Sequence, residues 1–503
     1  MVEWKRALAA ACTGFMIMIA DVLMGGAAWA GDRAAVVWAP CAQQRSVECG
    51  TLRVPVDWAR PRGPAFDLAL ARRRAADPAR RIGVLVVHPG GAGAGFVQAD
   101  ATTYFSKEIL DRFDIVGFDP RGSGSSHPVR CSADIVRREP LPDPRDQADF
   151  DRLRAYVADL AADCRRRTGP LADHLDTNSV VRDLDAIRAA LGERAISYHG
   201  VSAGTLTGQR YAELFGGRLR AMSLDSTLDH SLPTGRFLIG QAANVEDSFG
   251  AFVRWCHRQT ACALHGRDIG RMWDELMARA DRGTLRDPSM AGRVLDDYDL
   301  STEAHLGGLM EPSYTWLAER IASLHSGRPG PRGVVRGHPD PEVIELEHPA
   351  PATCEDWRLR IPDHRRFAVY ARRMRQAAPH LRTQPDTQAF ALTCALWPGE
   401  PANPQHRLAV APATPAVLLI NARHDPAAGH KMALGVRRQF GPHATLVTYE
   451  GAGHGVYHRT TCTRRTVDDY LLRLQLPADG TSCPPVRPSR SAPGKGLAGA
   501  ANQ

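Results

Sequence analysis

Residues 196–215 read ISYHGVSAGTLTGQRYAELF. The apolar run Ile196–Val201 predicts a buried strand, and Thr205 to Phe215 a helix. Between them lies Gly200-Val201-Ser202-Ala203-Gly204. A strand that turns sharply into a helix tolerates only small residues two positions either side of the turning residue. A serine at the turn then holds its oxygen clear of the backbone, beside the positive end of the helix. The competing reading is a glycine-rich turn whose serine merely caps the helix.

Working outward, further short apolar runs predict buried parallel strands at Gly83–Val87, Phe113–Phe118, Leu219–Leu224, Ala416–Ile420 and Thr445–Tyr449. Val181, Leu184, Ile187 and Leu191 recur at helical spacing, with Ser179 placed to cap that helix. Strands alternating with helices imply an α/β chain with a mostly parallel, doubly wound sheet. The alternation breaks between about 229 and 406, where helix-like segments such as Phe249–Cys256 and Arg271–Arg279 predominate around a Gly/Pro/Arg loop, Ser326 to Pro341. This predicts a helical cap inserted between a core of 31–228 and its completion at 407–483. The Pro/Ser/Gly/Ala-rich segment 484–503 predicts a disordered tail.

A serine nucleophile needs a base and a group to orient that base. Asp425 follows the strand Ala416–Ile420, and His454 follows Thr445–Tyr449, flanked by Gly453 and Gly455. Both fall where open α/β sheets bind ligands, and the order Ser, Asp, His is that of the α/β-hydrolase fold. His424, His430, His443 and His458 are rivals for the base, but none follows a strand as directly. The loop His88-Pro89-Gly90-Gly91-Ala92-Gly93-Ala94-Gly95 offers backbone N–H groups to a developing oxyanion, with the Ala203 amide as second donor. A dinucleotide fingerprint ending on Asp119 is the rival reading, and His-Pro suits its tight turn poorly. The segment 119–125 (DPRGSGS) reads as a structural turn held by an Asp–Arg pair.

The chain carries 63 Lys and Arg against 55 Asp and Glu, a net charge of +8. The basic residues are nearly all arginine and interleave with acids, so they predict a solvated surface and not a nucleic-acid face. Lys5 and Arg6, the apolar stretch Ala7 to Ala20 and Ala28-Trp29-Ala30 predict a signal peptide over 1–30, cleaved before Gly31. The product would be secreted or periplasmic, with no stable membrane insertion. Of eleven cysteines, ten lie beyond that segment. An even set in an exported chain predicts disulfides, and no CxxC spacing points to zinc. Local pairs Cys41–Cys49, Cys256–Cys262 and Cys462–Cys483 are favoured. Cys131–Cys164 and Cys354–Cys394 would complete the set.

Together, HPGGAGAG, GFDPRGSGSS, GVSAG, a late Asp-Pro and GAGHGVY resemble the exported tripeptidyl aminopeptidases of actinobacteria, within the prolyl-aminopeptidase-like α/β hydrolases. The resemblance runs from Cys41 through Cys483 and includes 353–357 (TCEDW) and 394–398 (CALWP). It implies a helical cap and cleavage from a free peptide N-terminus. Ser202 would be nucleophile, His454 base and Asp425 its partner, with Gly91 and Ala203 supplying the oxyanion hole. No metal or organic cofactor is required. Recognition of an ammonium group calls for carboxylates in a partly desolvated pocket, for which Glu355 and Asp356 are candidates by position. Ala92 replaces the family's usual proline, and Val201-Ser202-Ala203 replaces its usual Tyr-Ser-Tyr. These departures keep an esterase or lactonase acting on small esters in view. A catalytically silent binding protein is the reading from another class.

Overall fold

The computed structural model describes residues 35–42, 44–90, 93–334, 343–346 and 350–486. The expected signal segment, the far end of the Gly/Pro/Arg loop and most of the expected tail lie outside these residues, as does Gly91. Among the described residues, twelve strands form in chain order: β1 (Val37–Pro40), β2 (Glu48–Pro55), β3 (Ala65–Arg73), β4 (Gly83–His88), β5 (Phe113–Phe118), β6 (Val129–Ser132), β7 (Ile196–Val201), β8 (Leu219–Asp225), β9 (Val343–Leu346), β10 (Val417–His424), β11 (Ala444–Ala452) and β12 (Ser482–Cys483). Ten make one sheet in the order β1-β2-β3-β5-β4-β7-β8-β10-β11-β12, while β6 and β9 pair separately. From β5 to β12 every neighbour is parallel; β1 to β3 are antiparallel, and β3 joins β5 antiparallel. This is the α/β-hydrolase architecture.

The central strands read as unbroken apolar runs because both faces are covered. In β4, Val84 and Val86 join one hydrophobic cluster, and Leu85 and Val87 the opposite one. In β10, Val417 and Leu419 divide from Leu418 and Ile420 in the same way. Each such side chain contributes about 1.5–3 kcal/mol on burial.

The helix Thr177–Ala190 begins one turn earlier than its apolar repeat. Asp176 caps it by accepting from Ser179 N, and Ser179 Oγ bonds back to Asp176, so Ser179 is the cap's partner and not the cap. The turn after β5 also differs from expectation. Arg121 pairs with Asp183, both side chains with no exposure, through two bonds of 2.7 Å. Asp119 instead accepts the amides of Ala94 and Ser125, each at 2.9 Å. It therefore ties the turn to the helix Gly93–Ala99 that follows the glycine loop.

Among the described residues, the segment between β8 and β10 adds no strand to the ten-stranded sheet. It carries the helices Thr234–Arg258, Ile269–Asp281, Tyr314–Ser326, His364–Ala377 and Pro385–Leu396. One of its hydrophobic clusters is shared with Phe150, Leu153 and Val157 of the helix Gln147–Thr168, which precedes β7. Among the described residues five disulfides form: Cys41–Cys49, Cys131–Cys164, Cys256–Cys262, Cys354–Cys394 and Cys462–Cys483. That set belongs to a chain folding in an oxidising compartment. No helix among the described residues is long and apolar enough to cross a membrane.

Candidate active site

Ser202 alone separates β7 from the helix Ala203–Phe215, at φ 55° and ψ −121°. A side chain in that region is strained and persists only where its surroundings over-determine it. Here they do. Ser202 N donates to Asp225 O at 3.0 Å, Tyr198 Oη to Gly204 O at 2.7 Å, and Thr205 Oγ1 to Ser202 O at 2.6 Å. The glycines are required by close approach. A Cβ on Gly204 would lie 2.1 Å from His88 O, and one on Gly200 2.6 Å from Gly204 O. The elbow therefore packs against the end of β4, where the glycine loop begins. Gly90 (φ +109°) lies so close that a Cβ there would come within 3.6 Å of Ala203 N. Among the described residues, the loop reaches the Ala203 amide at Gly90.

Asp425 directly follows β10 and its side chain is fully buried. Its Oδ1 accepts the amides of Ala427 and Ala428 at 2.9 and 2.8 Å, closing its own loop. His454 Nδ1 lies 3.0 and 3.1 Å from the two Asp425 oxygens. A carboxylate facing Nδ1 favours the tautomer with its proton there, leaving Nε2 as the acceptor. Burial lowers the His454 pKa. The charge and hydrogen bond of Asp425, with the more distant carboxylates of Asp225 and Glu311, outweigh burial and hold it above 6.5. Ser202 Oγ makes no hydrogen bond to His454 among the described residues; such contacts commonly tighten only around substrate.

Two of the rival histidines are otherwise engaged. His424 Nδ1 faces Asp247 at 2.7 Å, and His430 Nε2 faces Thr448 Oγ1 at 2.8 Å. Burial pulls His458 down to about 4. Glu355 and Asp356 are not brought to this cluster. The Asp356 carboxyl is buried and bonded by Thr177 N, Thr177 Oγ1 and Asn403 Nδ2. Glu355 accepts from Ala402 N. Burial pushes both up to about 7. Asp356 ties its segment to the start of the helix Thr177–Ala190 and to Asn403, Glu355 binds Ala402, and neither bonds Ser202, Asp425 or His454.

What sequence reading missed is the end of β8. The Asp225 carboxylate, with no exposure, accepts Val456 N at 2.9 Å and Tyr457 N at 2.8 Å, two and three residues after His454. Ser226, at φ 56°, accepts Gly455 N through Oγ and donates its own N to Ile420 O. Thr227 N donates to Asn421 Oδ1 of β10. Three consecutive residues thus touch the strands or loops carrying Ser202, Asp425 and His454. The one available signal was a polar triplet closing an apolar strand at the ligand-binding edge.

The chain is 30% identical over 490 residues to "Serine protease Hip1" of Mycobacterium tuberculosis, covering 89% of this chain and 91% of that protein. It is 31% identical to "Carboxylesterase B" of the same organism, covering 88% and 87%. It is 26% identical to "Tripeptidyl aminopeptidase" of Streptomyces lividans, covering 92% and 89%. Residues 383–483 match the family described as TAP-like protein. The chain belongs to the TAP-like family of α/β hydrolases. It is therefore a serine hydrolase by class. In this TAP-like chain the matched segment contains Asp425, His454 and the Arg459 that follows them.

Proposed function

We propose that this chain is an aminopeptidase releasing short peptides, tripeptides or smaller, from free N-termini by acyl transfer at Ser202. The observation that carries the mechanism is the buried Asp425 facing His454 Nδ1 at 3.0 and 3.1 Å, on the loop whose amides are gripped by the end of β8. His454 accepts the Ser202 proton as the oxygen attacks the carbonyl. The Ala203 amide, at the first turn of its helix, and the glycine loop at Gly91 take the oxyanion. His454 then protonates the leaving amine, and water reverses the sequence to free the acid. The peptidase names of two relatives, Hip1 and the Streptomyces enzyme, support amide chemistry. Carboxylesterase B, equally similar, supports a second reading as an esterase on small esters. The same proposal takes residues 1–30 as an export signal and 229–406 as a cap over the site, with five disulfides in support of export.

Chromogenic aminoacyl, dipeptidyl and tripeptidyl amides, their N-blocked forms and a short-chain ester are hydrolysed side by side by wild type and Ser202→Ala. Amide turnover that needs a free amine and falls by about 10⁴-fold or more in Ser202→Ala is expected. Ester turnover alone would replace the peptidase reading with the esterase one. Undiminished turnover by purified Ser202→Ala would refute the mechanism.

A further inference from the structure

The histidine loop is built as much by the insertion as by the sheet. His454 N donates to Met310 O at 2.9 Å. Its carbonyl, and that of Gly455, accept from Arg459 Nη2 and Nε, each at 2.9 Å. Arg459 Nη2 in turn lies 3.0 Å from Glu311 Oε2. Met310 and Glu311 are adjacent, so the peptide group on each side of His454 is held by the same short stretch of the insertion. Ala452, at the end of β11, packs against the insertion's own hydrophobic cluster, which includes Leu309 and Tyr314. Gly453 is equally committed: a Cβ there would sit 2.7 Å from Pro312 Cδ.

That stretch leaves a segment braced by buried ion pairs. It follows a wide helical turn, Glu303–Leu309, of the type enriched at functional sites. Glu303 is bonded to Arg320, whose guanidinium also takes Asp287, with all three side chains essentially unexposed. An error in placing Met310 and Glu311 would pass directly to the imidazole, and a displacement of about 1 Å at a reacting group can cost about a hundredfold in rate.

We propose that Glu311 is a positioning residue for His454: through Arg459 it fixes the histidine loop, so the imidazole is placed for proton transfer only while the insertion is docked. This rests on His454 being the base. Four charged groups face the ring's surroundings: Asp425 from the loop after β10, Asp225 from β8, Glu311 from the insertion and Arg459 from its own loop. Removing the Glu311 charge takes away one of the influences that raise the His454 pKa.

The test is the rate at which a small fluorophosphonate modifies Ser202, measured against pH, because such a probe reports Ser–His competence without filling substrate subsites. Wild type, Glu311→Gln, Glu311→Asp, Arg459→Lys and His454→Ala are compared, each checked for a native circular dichroism spectrum and melt. The Glu311 side chain is 28% exposed, so Glu311→Gln is expected to fold. Glu311→Gln should modify about tenfold more slowly at its pH plateau, with the acid limb moved to lower pH, and Glu311→Asp should recover part of both. Arg459→Lys, which keeps the charge but loses the fork, should also be slowed. A plateau rate within twofold of wild type overturns the positioning role, even if the limb moves. Loss of peptide turnover with an unchanged probe rate overturns it too, and makes Glu311 a substrate contact. If His454→Ala keeps the wild-type probe rate, the base assignment itself fails. If His454→Ala is inert and Glu311→Gln is normal, only the present proposal falls.

Discussion

Asp225→Asn should weaken catalysis while leaving stability at neutral pH almost untouched. Burial raises the Asp225 carboxyl from 3.8 to about 6, net of the amides of Tyr457 and Val456 that favour its charge. Keeping it ionised at pH 7 therefore costs the folded state about 3 kcal/mol, at about 1.4 kcal/mol per pH unit. The substituted side chain is neutral at every pH and escapes that cost. Its NH₂ group, however, must face Val456 N or Tyr457 N. One hydrogen bond of about 1 kcal/mol is lost and one buried N–H is stranded, at about 1–3 kcal/mol. The two effects offset to within about 1–2 kcal/mol at pH 7. At pH 4 the wild-type carboxyl is largely protonated, so only the loss remains, and the variant should be less stable by about 2–4 kcal/mol. A folded pKa raised above the unfolded one gives stability that is full below about 4 and lost as pH rises through about 6. Wild type should show that fall, and Asp225→Asn should not. With one anchor gone, the His454 loop shifts, and kcat on a chromogenic substrate should drop about 10- to 100-fold at pH 7. Urea melts from pH 4 to 8 with parallel kcat measurements are the assay. An unchanged kcat, or identical pH dependence of stability in both proteins, would refute the reasoning.

Other outcomes follow from the same geometry. Asp425→Asn removes the main charge holding the His454 pKa above 6.5, so the acid limb of kcat/KM should move below its wild-type position and kcat should fall about 10⁴-fold; a limb that stays in place contradicts this. Arg121→Leu strands Asp183 at 0% exposure and should cost about 3–5 kcal/mol in denaturant melts. Replacing both Cys131 and Cys164 by serine opens a loop with a sequence separation of 33 and should cost about 3–4 kcal/mol, read as a lower Tm.

The fold was legible where one physical effect dominated. β4 and β7 are buried at every position, so their apolar runs announced them. β2 alternates exposed and buried residues only toward its end, and the antiparallel outer strands went unread. Ser202, Asp425 and His454 each follow a strand, and local context sufficed to single them out. Asp225 did not stand out, because what it binds lies 231 and 232 positions away. Asp356 illustrates the converse. Its place beside the expected cap drew attention, yet its acceptors are consumed by Thr177 and Asn403. The Asp119–Arg121 pair failed for the same reason: each found a distant partner better placed than its neighbour.

The pairing of β8 with β10 also has a kinetic side. Met222 lies opposite Val417, so these neighbours meet only after the chain has made a long excursion. Joining the ends of a flexible loop becomes only about 0.6 kcal/mol harder with each doubling of its length, but non-local pairings of this kind form late. The Cys354–Cys394 crosslink, with a sequence separation of 40, shortens that excursion. Acquisition of activity during refolding should therefore lag behind assembly of the excursion, and a chain refolded under reducing conditions should regain helical signal before it regains a reactive serine.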